Sequence, residues 1–249
     1  MSLLVCSIDT SGRNGSVALA RYGATVVPGA PIDAEQIEVL EFASLQGGDY
    51  AERLLPTLAS GLEKRGFTKK DIGLFAVASG PGSFTGLRVG LSTVKALGDA
   101  LQVPIVAVGV LEVVALAATH EGRVIAALDA QRNEVYAGEY TVSREFGPFP
   151  LHAEYEALSS VDDFCTWLSA RVPVPLTFTP DATIAERVRK AGSPAEEISR
   201  PAADSYARVG LMKLAAGQTI SAETLDANYI RRSDAEILVF TNPARAIVK

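Results

Sequence analysis

The sequence predicts an α/β fold, and three observations support this prediction. Short apolar runs typical of buried strands alternate with stretches whose apolar residues recur at helical spacing. The order of hairpin strands, helix, strand and helix occurs in the first half of the chain and again in the second half. In each half a strand-like run ends in an aspartate, at Ile8-Asp9 and at Leu128-Asp129. These features favour two duplicated halves.

The first half begins with strands and continues with two helices. Its predicted strands are Leu3–Asp9, Ser16–Arg21, Ala24–Pro28, Glu38–Phe42 and Leu74–Ser79. A helix is predicted over Tyr50–Arg65, because its leucines recur at helical spacing and Gly66 provides a stop. A glycine-rich turn, Gly80–Gly90, leads into a second helix that ends near Leu101.

The second half follows Pro104, which blocks any extension of the preceding helix. Its predicted strands are Ile105–Val108, Arg123–Asp129, Glu134–Val142, Leu151–Ala157 and Leu176–Thr179. Its predicted helices are Leu111–Ala118, a stretch from the capping box at Ser160 to Ala170, Thr183–Ala191 and Ala203–Ala216. We place an N-terminal lobe at residues 1–103, joined by the C-terminal segment 217–249, and a C-terminal lobe at residues 104–216.

Composition limits the classes of protein that this chain can belong to. Of its 249 residues, 48% are hydrophobic, which excludes intrinsic disorder. The formal net charge of −6 argues against a protein that holds nucleic acid by its own field. The apolar runs are shorter than the roughly 20 residues that cross a bilayer, and the N-terminal run lacks the basic start of a secretion signal. We therefore expect a cytoplasmic protein with no membrane segment.

Two motifs resemble phosphate-binding elements. Asp9-Thr10-Ser11 ends a strand with a carboxylate and two hydroxyls, which suits a hydrated metal–phosphate group, although an ordinary polar hairpin has the same composition. Gly80–Gly86 joins a strand to a helix N-terminus, where anions bind, but it lacks the Walker pattern. We favour the alternative that Gly86 and Gly90 permit close helix packing, with Ser83 or Thr85 as the cap.

The turn after Asp129 argues against nucleotide hydrolysis. An actin-like ATPase needs glycines there so that bare backbone closes on the phosphates, whereas this chain has bulky side chains from Gln131 to Glu134. His120 and His152 have no partner at metal or nucleophile spacing. The sequence therefore predicts no catalytic residue and no metal site.

Several segments resemble the TsaB (YeaZ) family, the non-catalytic subunits of the bacterial system that makes threonylcarbamoyladenosine in tRNA. The segments are Ile8–Ser11 with Ser16–Leu19, Glu52–Pro56, Gly80–Ser92, Leu128–Tyr136 and the ending Asn228–Ser233. The third of them is the most specific. The resemblance covers roughly the first 140 residues and is thin from Phe146 to Ala216.

The resemblance implies a two-lobed, actin-like ATPase (ASKHA) fold in which each lobe is a mixed sheet flanked by helices. It also implies a heterodimer with TsaD, which transfers the threonylcarbamoyl group to an adenosine beside the anticodon, and an accessory ATPase, TsaE. We expect the isolated chain to pair with itself, because a helix pair can make a self-complementary contact, and to contact tRNA only through the complex. We expect no cofactor on the chain alone, and ATP with magnesium is possible only in the complex. The alternative is an enzyme, either an ATP-dependent kinase of the actin-like class or a peptidase.

The same resemblance assigns a partner surface to the two helices of the first lobe. Its residues are Tyr50, Leu54, Leu58, Phe84, Leu87, Arg88, Leu91, Val94 and Lys95. A vestigial phosphate site falls on Asp9, Thr10 and Ser11. If the leucines face outward, Leu58→Glu or Leu91→Glu should cost little in the free chain and weaken assembly. Tyr50-Ala51 departs from the His-Ser pair that relatives often carry at this point.

Direct binding of tRNA is a third possibility that the sequence makes unfavourable. Two groups of basic residues lie near predicted helix ends: Lys64, Arg65, Lys69 and Lys70 in the first half, and Arg187, Arg189 and Lys190 in the second. Charged helix ends are usually solvated faces. We therefore expect these groups to matter for RNA only within a complex.

Overall fold

The computed structural model describes residues 2–228 and residue 230. The described strands are β1 Leu3–Asp9, β2 Asn14–Tyr22, β3 Ile37–Gln46, β4 Ile72–Gly80, β5 Ile105–Gly109, β6 Gly122–Gln131, β7 Glu134–Val142, β8 Leu151–Ser160, β9 Leu176–Thr179 and β10 Ala195–Glu197. The described α-helices are α1 Tyr50–Lys64, α2 Phe84–Leu101, α3 Val110–Ala115, α4 Val161–Ser169, α5 Ala182–Lys190 and α6 Ala203–Ala215. Most of the family-like ending Asn228–Ser233, and part of the segment 217–249, lie outside the described residues.

The ten strands form two five-stranded sheets with the same topology. The first has the order β3-β2-β1-β4-β5, and the second has the order β10-β9-β6-β7-β8. In each sheet the first strand of the half is central, antiparallel to a hairpin partner on one side and parallel to a later strand on the other. The predicted duplication of the two halves is therefore confirmed at the level of strand order.

Helices cover both faces of the first sheet. The apolar side of α1 and of α2 packs on one face, where it forms a core with the β1 residues Cys6 and Ile8. Helix α6 covers the other face and contacts β1, β2 and β4. Its approach to β4 is close, because a Cβ on Gly210 would lie 2.6 Å from the Cβ of Ala76. This packing explains why β1 is buried on both faces.

The second sheet packs one of its faces against α4 and α5. The alternating residues Ile125 and Ala127 of β6 and Val135 and Ala137 of β7 point to this side. They meet the apolar side of the two helices, which is Phe164, Cys165 and Leu168 of α4 and Ile184 and Val188 of α5. The Ser160 hydroxyl caps α4 by accepting a hydrogen bond from the Asp163 amide, at the position that the sequence predicts.

The contacts divide the chain into two compact units. The first contains residues 2–110, 147–149 and 201–228, and the second contains residues 111–146 and 150–200. The lobe boundaries predicted from the sequence instead place β5 and α6 in the second lobe, residues 104–216. They belong with the first unit because β5 pairs with β4 and α6 lies on the first sheet.

Two strand assignments differ from the prediction. Ala24–Pro28 forms no strand, and β2 pairs instead with β3, which extends the predicted Glu38–Phe42 in both directions. Gly29 has a φ of +79°, and the prolines around it cannot donate to a ladder, so this segment is a loop. Strand β10 is only three residues long, which is too short for a period-two pattern to reveal.

Candidate functional site

The residues Asp9, Thr10 and Ser11 form a closed turn at the carboxyl end of β1. The Asp9 Oδ1 accepts hydrogen bonds from the Ser11 amide at 2.8 Å and from the Ser11 hydroxyl at 2.6 Å. All three residues are buried. These bonds are those of an Asx turn, in which the carboxylate stabilises the backbone beside it. The geometry supports the polar-hairpin interpretation of this motif.

The N-terminus of α2 packs directly on this turn. A Cβ on Gly86 would lie 2.1 Å from the Thr10 carbonyl oxygen, and a Cβ on Gly90 would lie 2.4 Å from the Thr10 hydroxyl. The Ser83 hydroxyl accepts from the Gly86 amide at 3.2 Å, and the Ser83 amide donates to the Ser11 carbonyl at 2.6 Å. The glycine-rich motif therefore serves close packing, as we favoured, and Ser83 is the cap.

Tyr50 connects the three segments that meet at this point. Its hydroxyl donates to the Gly12 carbonyl at 3.0 Å, in the loop between β1 and β2. A Cβ on Gly15 would lie 2.9 Å from its ring, and a Cβ on Gly86 would lie 3.2 Å from it. The side chain thus joins α1 to the β1–β2 loop and to the first turn of α2.

The second unit contains a similar turn after β6. The Asp129 Oδ1 accepts from the Gln131 amide at 2.8 Å, as Asp9 does from Ser11 in the first unit. Gln131, Arg132 and Asn133 have φ values of 65°, 55° and 61°, which is the left-handed region that glycine adopts most readily. Three side chains therefore stand at positions where bare backbone would have to approach a phosphate.

The expected partner surface needs a correction. Six of its nine residues are buried in the core of the first unit: Tyr50, Leu54, Leu58, Leu87, Leu91 and Val94. The apolar side of an amphipathic helix covers its own sheet first, so these residues do not form an exposed docking face. Phe84, Arg88 and Lys95 are exposed, and the Lys95 Nζ donates to the Leu225 carbonyl at 3.4 Å.

The exposed side of α1 and α2 carries Phe84 and Arg88 of the predicted surface, together with apolar residues that the prediction did not include. Leu55 is 49% exposed and Phe84 is 52% exposed, and the Arg88 guanidinium lies 3.9 Å from the centroid of the Phe84 ring. Ala51 and Ala59 are also exposed, one helical turn on either side of Leu55. We call these five residues the outer face. The sequence contained one indication of this face: Leu55 lies one position away from the stripe of Leu54, Leu58 and Leu62, the leucines of the buried side of α1.

Metal ligands and thiols are two kinds of reactive group for which the described residues offer candidates. No group of three or more His, Cys, Asp or Glu side chains among them is arranged to hold a metal ion. Burial raises the pKa of the Cys6 thiol to about 12, and burial also raises the pKa of Cys165. Low-pKa thiolates are the reactive form of cysteine, so neither thiol suits a nucleophile.

Within the described part of the chain, no helix is long and apolar enough to cross a membrane.

Comparison with known sequences gives consistent matches. The family model of TsaD, the tRNA N6-adenosine threonylcarbamoyltransferase, matches residues 42–166. The chain is 31% identical over 139 residues to the tRNA threonylcarbamoyladenosine biosynthesis protein TsaB of Bacillus subtilis, a match that covers 55% of each protein. It is 36% identical over 95 residues to TsaB of Escherichia coli, across 37% of this chain and 41% of that protein. The chain thus spans about half the length of the curated relatives that it matches, or less.

Comparison with solved structures concerns the fold. YeaZ from Pseudomonas aeruginosa superimposes with a TM-score of 0.68 at 24% identity, over 91% of this chain and 99% of that one. The chain therefore has the fold of that YeaZ, and the predicted α/β class, with a mixed sheet and flanking helices in each of two units, is confirmed.

Proposed function

We propose that this chain, a member of the TsaB (YeaZ) family, takes part in forming threonylcarbamoyladenosine in tRNA. The match of the TsaD family model to half of the chain agrees with this proposal. The observation that carries the proposal is the similarity to relatives that are named for this biosynthesis. We propose that its role is that of a non-catalytic subunit, which binds TsaD and supports transfer of the threonylcarbamoyl group by TsaD.

The non-catalytic role is supported by what the two motifs that resemble phosphate-binding elements do in this chain. The carboxylate of Asp9 and the amides at the start of α2 are used within the first unit. The turn after Asp129 has side chains where a phosphate would require bare backbone. We therefore propose that ATP and magnesium bind only in the assembled complex, that TsaE joins this complex, and that tRNA is held through it.

We place the contact with TsaD on the outer face, Ala51, Leu55, Ala59, Phe84 and Arg88. This face combines two large exposed apolar side chains with an arginine stacked on an aromatic ring, and aromatic residues and arginine are enriched at protein interfaces. In the absence of TsaD, the same face would pair with a second copy, because a helix pair can form a self-complementary contact.

The test is calorimetric titration of the purified chain with TsaD from the same organism. Leu55→Glu combined with Phe84→Glu should weaken binding by about tenfold or more, because charge replaces apolar contact at the centre of the interface. Val172→Glu is the matched control, since Val172 is 93% exposed and lies in the second unit. Affinity equal to that of the unaltered chain would refute the assignment of the outer face.

A second measurement separates this role from the enzymatic alternative. The isolated chain should neither hydrolyse ATP nor modify tRNA, and addition of TsaD and TsaE should be needed for the modified nucleoside to form. Turnover of ATP, or cleavage of a peptide, by the chain alone would favour the kinase-like enzyme or the peptidase instead.

A further inference from the structure

Five side chains from three strands and one helix meet at one end of the second sheet. Arg123 of β6 and Glu139 of β7 follow the alternation of the residues that face α4, and Tyr155 of β8 lies opposite Glu139 in the strand register. Trp167 of α4 and Arg171, just after the end of that helix, complete the group. We call these five residues the Arg–Trp cluster.

The charges in the Arg–Trp cluster do not balance. Glu139 is buried, with 3% of its side chain exposed, and it pairs with both Arg123 and Arg171. The Arg171 Nη2 lies 3.1 Å from the Glu139 Oε2. One arginine is enough to neutralise a buried carboxylate, so the second brings an extra positive charge. The two arginine side chains remain 48% and 32% exposed.

Aromatic rings hold one of these guanidinium groups in place. The Arg171 guanidinium lies 4.3 Å from the centroid of the Trp167 ring, and the Tyr155 ring meets that indole edge to face at 5.3 Å. The carboxylate of Glu139 and the indole therefore fix the orientation of the arginine before any ligand arrives. Preorganised groups of this kind bind with a smaller loss of side-chain entropy.

Two other basic residues of the second unit, Arg187 and Lys190, differ in this respect. Arg187 pairs with Asp162, and the Lys190 Nζ lies 2.6 Å from the Glu186 carboxylate. Each of these cations has a carboxylate of its own, and the pairs lie at the surface. They fit the solvated helix end that the sequence predicts, whereas the Arg–Trp cluster has two cations on one shared anion.

We infer that the Arg–Trp cluster binds the phosphodiester backbone of RNA. Arginine forks match the oxygen geometry of a phosphate, and both arginine side chains of the cluster are partly exposed. The inference rests on the proposed function only for the choice of RNA as the anion. Within the complex, the cluster supplies a contact to the tRNA that the isolated sequence does not reveal, because its members are spread over 49 positions.

Two features keep this contact weak in the isolated chain. The formal net charge of −6 repels a polyanion. Glu154 also lies nearby, since its carboxylate accepts from the Thr141 hydroxyl at 2.9 Å and Thr141 is the strand partner of Arg123. Binding should therefore be measured at low salt, where phosphate contacts are strongest, and it should tighten in Glu154→Gln.

The experiment uses the only tryptophan of the chain, Trp167, as the probe. The full-length chain is titrated at low salt with a short single-stranded RNA and, separately, with inorganic phosphate, and tryptophan emission is recorded. We expect a saturable change with RNA. Arg123→Gln should weaken the affinity for RNA about tenfold, as expected for loss of a charge-assisted contact. Arg187→Gln should leave this affinity unchanged.

Arg171→Gln changes the emission of Trp167 directly, so its RNA affinity is measured by the anisotropy of a labelled RNA. We expect Arg171→Gln to lose as much RNA affinity as Arg123→Gln does. Arg171→Lys keeps the charge and should recover part of this affinity. Thermal unfolding of each variant shows whether it is folded. An absent response to RNA, a response to phosphate alone, or an equal loss in Arg187→Gln would overturn the inference.

The same variants separate this inference from the proposed function. If Arg123→Gln and Arg171→Gln keep full affinity for both TsaD and RNA, the inference fails and the proposed function stands. If the unaltered chain binds RNA through the cluster but does not bind TsaD, the proposed function fails instead. A change in Trp167 emission on adding TsaD without RNA, together with no response to RNA, would make the cluster a protein contact and overturn the inference.

Discussion

Gly86 shows at the level of one residue how closely α2 approaches the β1–β2 turn. A methyl group there would collide with the Thr10 carbonyl, which is backbone and cannot rotate away. We expect Gly86→Ala to lower the free energy of unfolding by about 2 kcal/mol, in the range that overpacking costs. Ser92→Ala, on the exposed side of the same helix, is the control and should change it by less than about 0.5 kcal/mol. Denaturant unfolding measures both, and equal stability of the two variants would contradict the packing role.

The two cysteines provide a second test at this scale. Both are buried free thiols, and burial raises the pKa of Cys6 to about 12. At pH 8 only about one Cys6 side chain in ten thousand is then a thiolate, which is the form that reacts with a disulfide reagent. We expect very slow labelling of the native chain and rapid labelling of both thiols in denaturant. Rapid labelling of two thiols under native conditions would show that the core opens readily.

Helix α6 is an element whose position depends on two distant serines. It begins at Ala203 without a cap from its own sequence. The Ser16 hydroxyl of β2 accepts from the Ala203 amide at 2.9 Å, and the Ser7 hydroxyl of β1 donates to the Ala203 carbonyl at 2.6 Å. These bonds fix the end of α6 on the first sheet.

Ser16→Ala should therefore destabilise the chain by about 1–2 kcal/mol, since it leaves a buried amide without its acceptor. Ser205→Ala, in the first turn of the same helix, is the control and should be neutral or slightly stabilising. Hydrogen exchange followed by mass spectrometry should show faster exchange at the start of α6 in the first variant only. Unchanged exchange there would mean that Ser16 does not anchor the helix.

The elements also show which parts of the fold the sequence could predict. Helix α1 and the strand β1 carry strong periodic or apolar patterns, and their predicted bounds agree closely with the structure. Periodicity identifies the apolar side of a helix but not what covers it. The family resemblance placed Leu58 and Leu91 at a partner surface, whereas the sheet buries them. A glutamate at either position would therefore place a charge in the core.

The candidate site was predictable only in part. The packing role of Gly86 and Gly90 and the cap at Ser83 follow from local sequence chemistry. The Arg–Trp cluster and the α6 anchor depend on residues that the topology brings together from distant positions, which a single sequence does not encode in any local pattern. Short elements such as β10 carry too few residues for a pattern to be detected.

At the scale of the whole molecule, the duplicated topology assigns the same task to two aspartates. Asp9 and Asp129 each lie at the carboxyl end of the central strand of a sheet, and each accepts a hydrogen bond from the amide two residues later at 2.8 Å. In both units the carboxylate stabilises a turn. The repeated geometry thus favours a structural role for both residues over a role in holding a metal–phosphate group.

Asp9→Asn separates these two roles. An asparagine side chain has the same acceptor oxygen, so the turn should form, and the free energy of unfolding should fall by less than about 1 kcal/mol. Asp9→Ala removes the acceptor from two buried donors and should cost more, about 2 kcal/mol. In the assembled complex, formation of the modified nucleoside by Asp9→Asn should stay within about twofold of the unaltered chain, because the carboxylate charge is not needed. A stable Asp9→Asn chain that binds TsaD normally but loses nearly all activity would instead show that the charge of Asp9 holds a cation in the complex.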